Sequence, residues 1–239
     1  MCIRDSVPVA HTEGSGYQSI NNRAFLLRAL AGLLVHPNVG AILAVDLPND
    51  TINNRILGQY MVENNYPLED VLHGFHSITG SFDEEVDQCA RLVQGWLPKV
   101  NEYRRSSQSI RHLSIALQCG GSDAFSGVSG NPLASNVVKE VIRYGGRANL
   151  AETDELIGAE AYVLRNVASL DLARKFLNYI AEFKERLSWH GQTAEGNPSG
   201  GNKYRGLYNI ALKSIGAAAK RHPKVRLEHV VDYGARMVD

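Results

Sequence analysis

The chain has 239 residues, 25 Lys plus Arg against 25 Asp plus Glu, 44% apolar and 21% charged content. A zero balance gives no field that would draw nucleic acid or an anionic membrane, and no apolar run is long enough to cross a bilayer. Three widely spaced cysteines, Cys2, Cys89 and Cys119, make no disulfide framework, so a cytoplasmic globular protein of one large or two modest domains is expected.

The opening "MCIRDS" reads as an adapter-derived, non-native tail at residues 1–6. Residues 7–10 then read as a buried strand entering a loop, and the last residues, "LEHVVDYGARMVD", stop in another strand-like run, so a fragment is expected. Apolar runs at 7–10, 41–47, 71–78 and 113–117 alternate with 3.6-residue patterns at 22–35, 51–63 and 83–103. That rhythm predicts an α/β fold of mainly parallel sheets flanked by helices, in two Rossmann-like subdomains. The polar "YRRSSQS" at 103–109 buries little and separates a domain at 7–108 from one at 109–239. Beyond it, Asn131 and Pro132 suit the N-cap and first turn of a helix with Val137, Val138, Val141 and Ile142 inward, ending at Gly145-Gly146. A strand at 147–151, helices at 155–166 and 171–189, a second glycine-rich segment and a helix at 207–220 complete the pattern.

Three glycine-bearing loops, "HTEGSG" at 11–16, "CGGSDAFSGVSGNP" at 119–132 and "GNPSGGNK" at 196–203, are poor for packing and suited to holding a ligand. In parallel sheets ligands gather at the carboxyl ends of strands, beside helix N-termini. His11, Glu13, Cys119, Ser122, Asp123, Asn202 and Lys203 combine an imidazole, a thiol, carboxylates and an ammonium, a chemistry open to a divalent metal. The spacing does not establish one: Cys119 also reads as a small buried hydrophobe and His11 as a turn cap. Neither nucleotide-binding glycine signature is present in a strand-to-helix setting. His73 and His76 are read as structural, and the acids at 83–87 as favouring a helix dipole. Glu152, Asp154 and Glu155 allow that same explanation, with Glu152 just past a strand end and within reach of the loops.

Together "HTEGSG", "HPNVGAILAVDL", "CGGSDAFSGVSGNPLAS", "GGRANLAETDELIGAE" and "GNPSGGNKYRGLYNIALKSIGAAAK" resemble the altronate/galactarate dehydratase family, over nearly all of residues 7–239. The resemblance implies the middle domain and a truncated C-terminal domain of a hydro-lyase, with any small N-terminal domain or subunit separate. It implies metal-dependent removal of water from a sugar acid to give a 2-keto-3-deoxy acid, with Fe2+ the expected ion and Mn2+ the alternative. It places Lys203, Asp123 and Lys213 in catalysis, and Ser122, Asn131, Asn202, Gly120 and Gly121 against substrate. His11, Cys119, Glu13 and Glu152 are its metal candidates. The expected partner is a small sugar acid, with neither nucleic acid nor membrane, and a homo-oligomer is compatible. The chain departs from the family pattern at Ser15, at Ala44 to Asp46 and at Ala211 or Leu212, where thiols and an acid are usual. Those departures open two other readings: a lyase for another 2-hydroxy acid such as sulfolactate, and a catalytically silent sugar-acid-binding subunit.

Overall fold

The computed structural model describes residues 7–11, 22–151, 154–232 and 234–235. The tail at 1–6, the loop bearing Glu13 and Ser15, and Glu152 lie outside the described residues. Contacts divide the chain into one unit of residues 1–106 with 233–235 and another of residues 107–232 with 236–239. Both are α/β, and each holds a parallel pair of strands joined through a helix.

In the first unit the helix α1 (Arg23–Leu34) precedes β1 (Ala41–Asp46), α2 (Asn54–Glu63), β2 (Leu72–Ser77) and α3 (Phe82–Glu102). Strands β1 and β2 pair in parallel, Ala41 opposite Leu72 through Asp46 opposite Ser77. Because side chains alternate along a strand, Ile42 and Ala44 face the buried Leu26, Leu27, Ala31, Leu57 and Met61 of α1 and α2. The opposite face carries Gly74, where a Cβ would come within 3.0 Å of the Trp96 ring of α3. The Trp96 ring thus comes close to the sheet because position 74 has no side chain. Asn53 caps α2 by accepting from Ile56 N, and Asn54 Nδ2 donates to the carbonyls of Ala44 and His76, tying the ends of both strands to the helix start. Asp46, one of the departures from the family pattern, accepts from Asn54 N through Oδ2. Residues 7–10, expected as a buried strand, are exposed and form no regular element; among the described residues β1 pairs with β2 and none pairs with them.

The second unit runs β3 (Ser114–Leu117), α4 (Gly130–Arg143), β4 (Arg147–Leu150), α5 (Glu160–Leu164), α6 (Leu170–Trp189), α7 (Gly200–Tyr204) and α8 (Ile210–Ala218), with a 3-10 turn at Asp154–Leu156. Strands β3 and β4 are parallel, Ser114 opposite Arg147 through Leu117 opposite Leu150. Leu156, Ile157, Val163, Phe176, Ile180, Ile210 and Ala218 close its core. Helix α4 begins at Gly130, one residue before the expected cap, and the Asn131 side chain donates to Gly216 O at 2.8 Å rather than capping. Val137 is 51% exposed, whereas Ser135, Val138 and Val141 are buried. At about 100° per residue Val137 falls beside the inward arc and Ser135 within it. The helix ends as expected, with Gly145 at φ +83° and Gly146 N donating to Val141 O.

No helix among the described residues is long and apolar enough to cross a membrane.

Candidate functional site

Beyond the carboxyl ends of β3 and β4 lies a cavity of about 280 Å³. Gln118, Cys119, Gly120 and Gly121 line it from the loop after β3; Ala151, Asp154 and Glu155 from the segment after β4; Ser199 and Asn202 from the start of α7; Lys213 from α8. This is the edge where parallel α/β sheets collect ligands. A Cβ at Gly120 or Gly121 would meet nothing within 4 Å, so these two glycines leave the wall open.

Lys213 anchors the wall. It is 5% exposed, and its Nζ lies 2.6 Å from Glu155 Oε1, hydrogen-bonds Asn197 Oδ1 and stands 3.4 Å from Asn202 Oδ1. An ammonium carries three N–H groups, and here three acceptors meet them. Asn197 turns its amide nitrogen to Asp154 Oδ2 at 2.7 Å and Glu155 Oε1 at 3.5 Å. Asn202 is equally constrained: its Oδ1 accepts from Ser199 N and Ser199 Oγ in a capping box of α7, and its Nδ2 donates to Ser122 O at 2.7 Å. The second glycine-rich segment is thereby bonded to the first across 80 residues of sequence.

The other expected residues take separate places. Cys119 lines the cavity with Sγ 2.9 Å from Ser122 Oγ. Asp123 lies outside the lining; its Oδ1 accepts from Ser126 Oγ and Ser126 N, and those bonds hold its carboxyl below the usual range. Asn131 reaches Gly216 O, at a contact where the Cβ of an alanine at Gly127 would stand 3.1 Å from Gly216 Cα. Two chain segments approach there because neither carries a side chain, and Lys213 sits just before Gly216 on the same helix. Lys203 is exposed and outside the lining. His11 is an exposed residue of the first unit, and Glu13 and Glu152 lie outside the described residues. Among the described residues no three His, Cys, Asp or Glu side chains converge as metal ligands. Ala211, one of the two positions at which the resemblance expects an acid, packs its Cβ against Gly158.

Sequence reasoning passed over Glu155 and Asn197. The first was absorbed into a helix-dipole explanation, although it is 6% exposed and ion-paired. The second stood unremarked within "GNPSGGNK". A polar residue in a segment too poor in apolar groups to pack was the available signal.

The family profile described as D-galactarate/altronate dehydratase, C-terminal, matches residues 110–239, and that described as D-galactarate dehydratase/altronate hydrolase, second domain, matches residues 2–101. The chain belongs to the D-galactarate/altronate dehydratase family. Within that family it is 29% identical over 200 residues to an altronate dehydratase of Bacillus subtilis (strain 168), covering 84% of this chain and 38% of the relative. It is 28% identical over 231 residues to an altronate dehydratase of Escherichia coli (strain K12), covering 95% of this chain and 45% of the relative. It is also 24% identical over 207 residues to a (2R)-sulfolactate sulfo-lyase subunit beta of Chromohalobacter salexigens, covering 86% and 52%. The chain thus spans about half or less of the length of these curated relatives. The cavity lies wholly in residues that the C-terminal dehydratase profile matches.

Proposed function

We propose that the cavity of the second unit binds a sugar acid of the altronate or galactarate type, and that the protein removes water from it to give a 2-keto-3-deoxy acid. The observation that carries this reading is the polar wall in which the glycine loop after β3 and the "GNPSGGNK" segment are joined through Asn202 and backed by Lys213. An open, hydrogen-bonding cavity of about 280 Å³ suits a small polyhydroxylated anion better than an apolar ligand. Breaking a C–H bond beside a carboxylate builds negative charge on the substrate, and fixed donors placed beforehand stabilise it. Lys213 supplies positive charge behind the wall, while Gly120 and Gly121 let substrate approach the backbone. Ser122, Asp123 and Asn131 hold the loop and α4 that shape this edge, and Lys203 is assigned to substrate at the exposed rim of α7.

A divalent cation, Fe2+ or alternatively Mn2+, belongs to the same proposal. The Cys119 thiol on a polar wall suits a borderline ion, and Glu152, two residues past β4 in sequence, is its other assigned ligand. When bound, such an ion would offset charge on the substrate carboxylate. The free thiols of Cys89 and Cys119 suit a cytoplasmic setting.

A second reading, elimination from another 2-hydroxy acid such as sulfolactate, is favoured by the likeness to the sulfo-lyase subunit. The deciding experiment uses full-length protein purified without oxygen, measures bound iron and manganese, and assays altronate, galactarate and sulfolactate for keto-acid or sulfite release. Keto acid from either sugar acid is the expected result, sulfite release selects the second reading, and no turnover removes both. Cys119→Ser should retain less metal, and unchanged metal content would take Cys119 out of the ligand set.

A further inference from the structure

The two carboxylate oxygens of Glu155 are in different situations. Oε1 receives the Lys213 ammonium at 2.6 Å and the Asn197 amide at 3.5 Å, whereas Oε2 is buried with no hydrogen-bond partner. A buried acceptor left without a donor is costly, and folded proteins retain few of them. Nor can Lys213 swing across to satisfy it, since its three N–H groups already face Glu155, Asn197 and Asn202. The neighbouring carboxylates are engaged otherwise: Asp154 Oδ2 takes the Asn197 amide, and Asp123 Oδ1 takes two bonds from Ser126 outside the cavity wall. Among the described carboxylates that line the cavity, Glu155 is the one clamped by an ammonium through one oxygen while its other oxygen is buried without a donor.

We infer that Glu155 Oε2 is the proton acceptor of the elimination, an assignment that rests on the sugar-acid reading above. Its Oε1 is the handle by which Lys213 and Asn197 fix the group, and Asn197 acts as a positioning residue. In the step, the C–H bond at the carbon bearing the substrate carboxylate breaks and its proton forms an O–H bond to Oε2. The freed electron pair becomes the C2–C3 double bond as the C3–O bond breaks. The departing hydroxide takes the equivalent of that proton, so that Glu155 ends the cycle ionised, and leaves as water, and the enol at C2 moves its proton to C3 to give the keto acid. Substrate therefore equals keto acid plus one water, with no oxidant or reductant. A carboxylate anchored through one oxygen and without a donor at the other meets the positional demand on a general base.

The test compares wild type, Glu155→Gln and Glu155→Asp in full-length protein, on whichever sugar acid the wild type dehydrates, with melting temperatures recorded alongside. Glu155→Gln should lower kcat about 10³-fold while KM stays within about threefold, the signature of a group used in the chemical step rather than in binding. Glu155→Asp keeps the charge but withdraws the oxygen, and should lower kcat at least about tenfold with near-normal KM and melting temperature. A role confined to holding the fold would instead lower the melting temperature and raise KM. If Glu155→Gln does not fold, Glu155→Asp decides alone. Either folded variant with kcat within about threefold of wild type overturns the assignment and leaves the dehydratase reading standing. A wild type that turns over no sugar acid removes both.

Discussion

Asn202 shows how much one side chain can be asked to hold. Its amide joins the Ser199 cap, the Ser122 carbonyl and the Lys213 ammonium at 6% exposure, so replacement strands several buried polar groups at once. Asn202→Ala should destabilise the second unit by about 1–3 kcal/mol, visible as a lower urea midpoint with an unchanged slope. A midpoint equal to wild type would show that water replaces the amide without loss. Asn202 and the residues from Cys119 to Gly121 were reachable from the sequence because polar and glycine residues cluster where a helix ought to start, whereas Lys213, inside a helix, was reached only through the family resemblance. The pairing of Lys213 with Glu155 was not, since residues 58 positions apart meet only through the packing of α8 on the turn after β4. Burial turned Glu155 from one acid among several in "AETDEL" into half of an ion pair, and periodicity carries no sign of that.

At the scale of elements, the start of α3 concentrates acids for distinct reasons. Ser81 and Glu84 form a capping box, while Glu85 Oε1 accepts from Thr79 N and Gly80 N and its other oxygen meets His76 Nε2. The backbone N–H groups, first that of Thr79, and then His76 hold the Glu85 carboxyl down to about 2, from an ordinary 4.5. A carboxyl depressed in the folded state adds stability above its unfolded value and loses it as pH falls from about 4.5 toward 2. Glu85→Gln should flatten that part of the stability-against-pH curve, measured by chemical denaturation in steps through this window. A curve as steep as wild type would mean the loop does not depend on the charge. The sequence marked these acids as dipole partners and His76 as structural. The structure adds that one of them closes the β2–α3 loop. The cap of α4 was misplaced for a related reason, because Asn131 reads as a cap residue locally and is claimed by a carbonyl 85 positions away.

For the molecule as a whole, two contact units meet in the sequence within the exposed, irregular stretch 103–109, which includes Arg104 and Arg105. Brief trypsin treatment should cut there first and release two fragments, identified by mass, before the helices are attacked. First cuts inside α3 or α6 would contradict this. The α/β alternation was legible because each helix and strand announces its period over many residues. The strand expected at 7–10 was not, since a short apolar run becomes a strand only with a neighbour to pair with. Gly127 and Gly216 carry a further consequence. Their bare α-carbons set how near α8 comes to the loop before α4, and so where an ammonium group three residues earlier stands. The pocket's charge can thus be retuned remotely, by one methyl added at a position no ligand would ever touch.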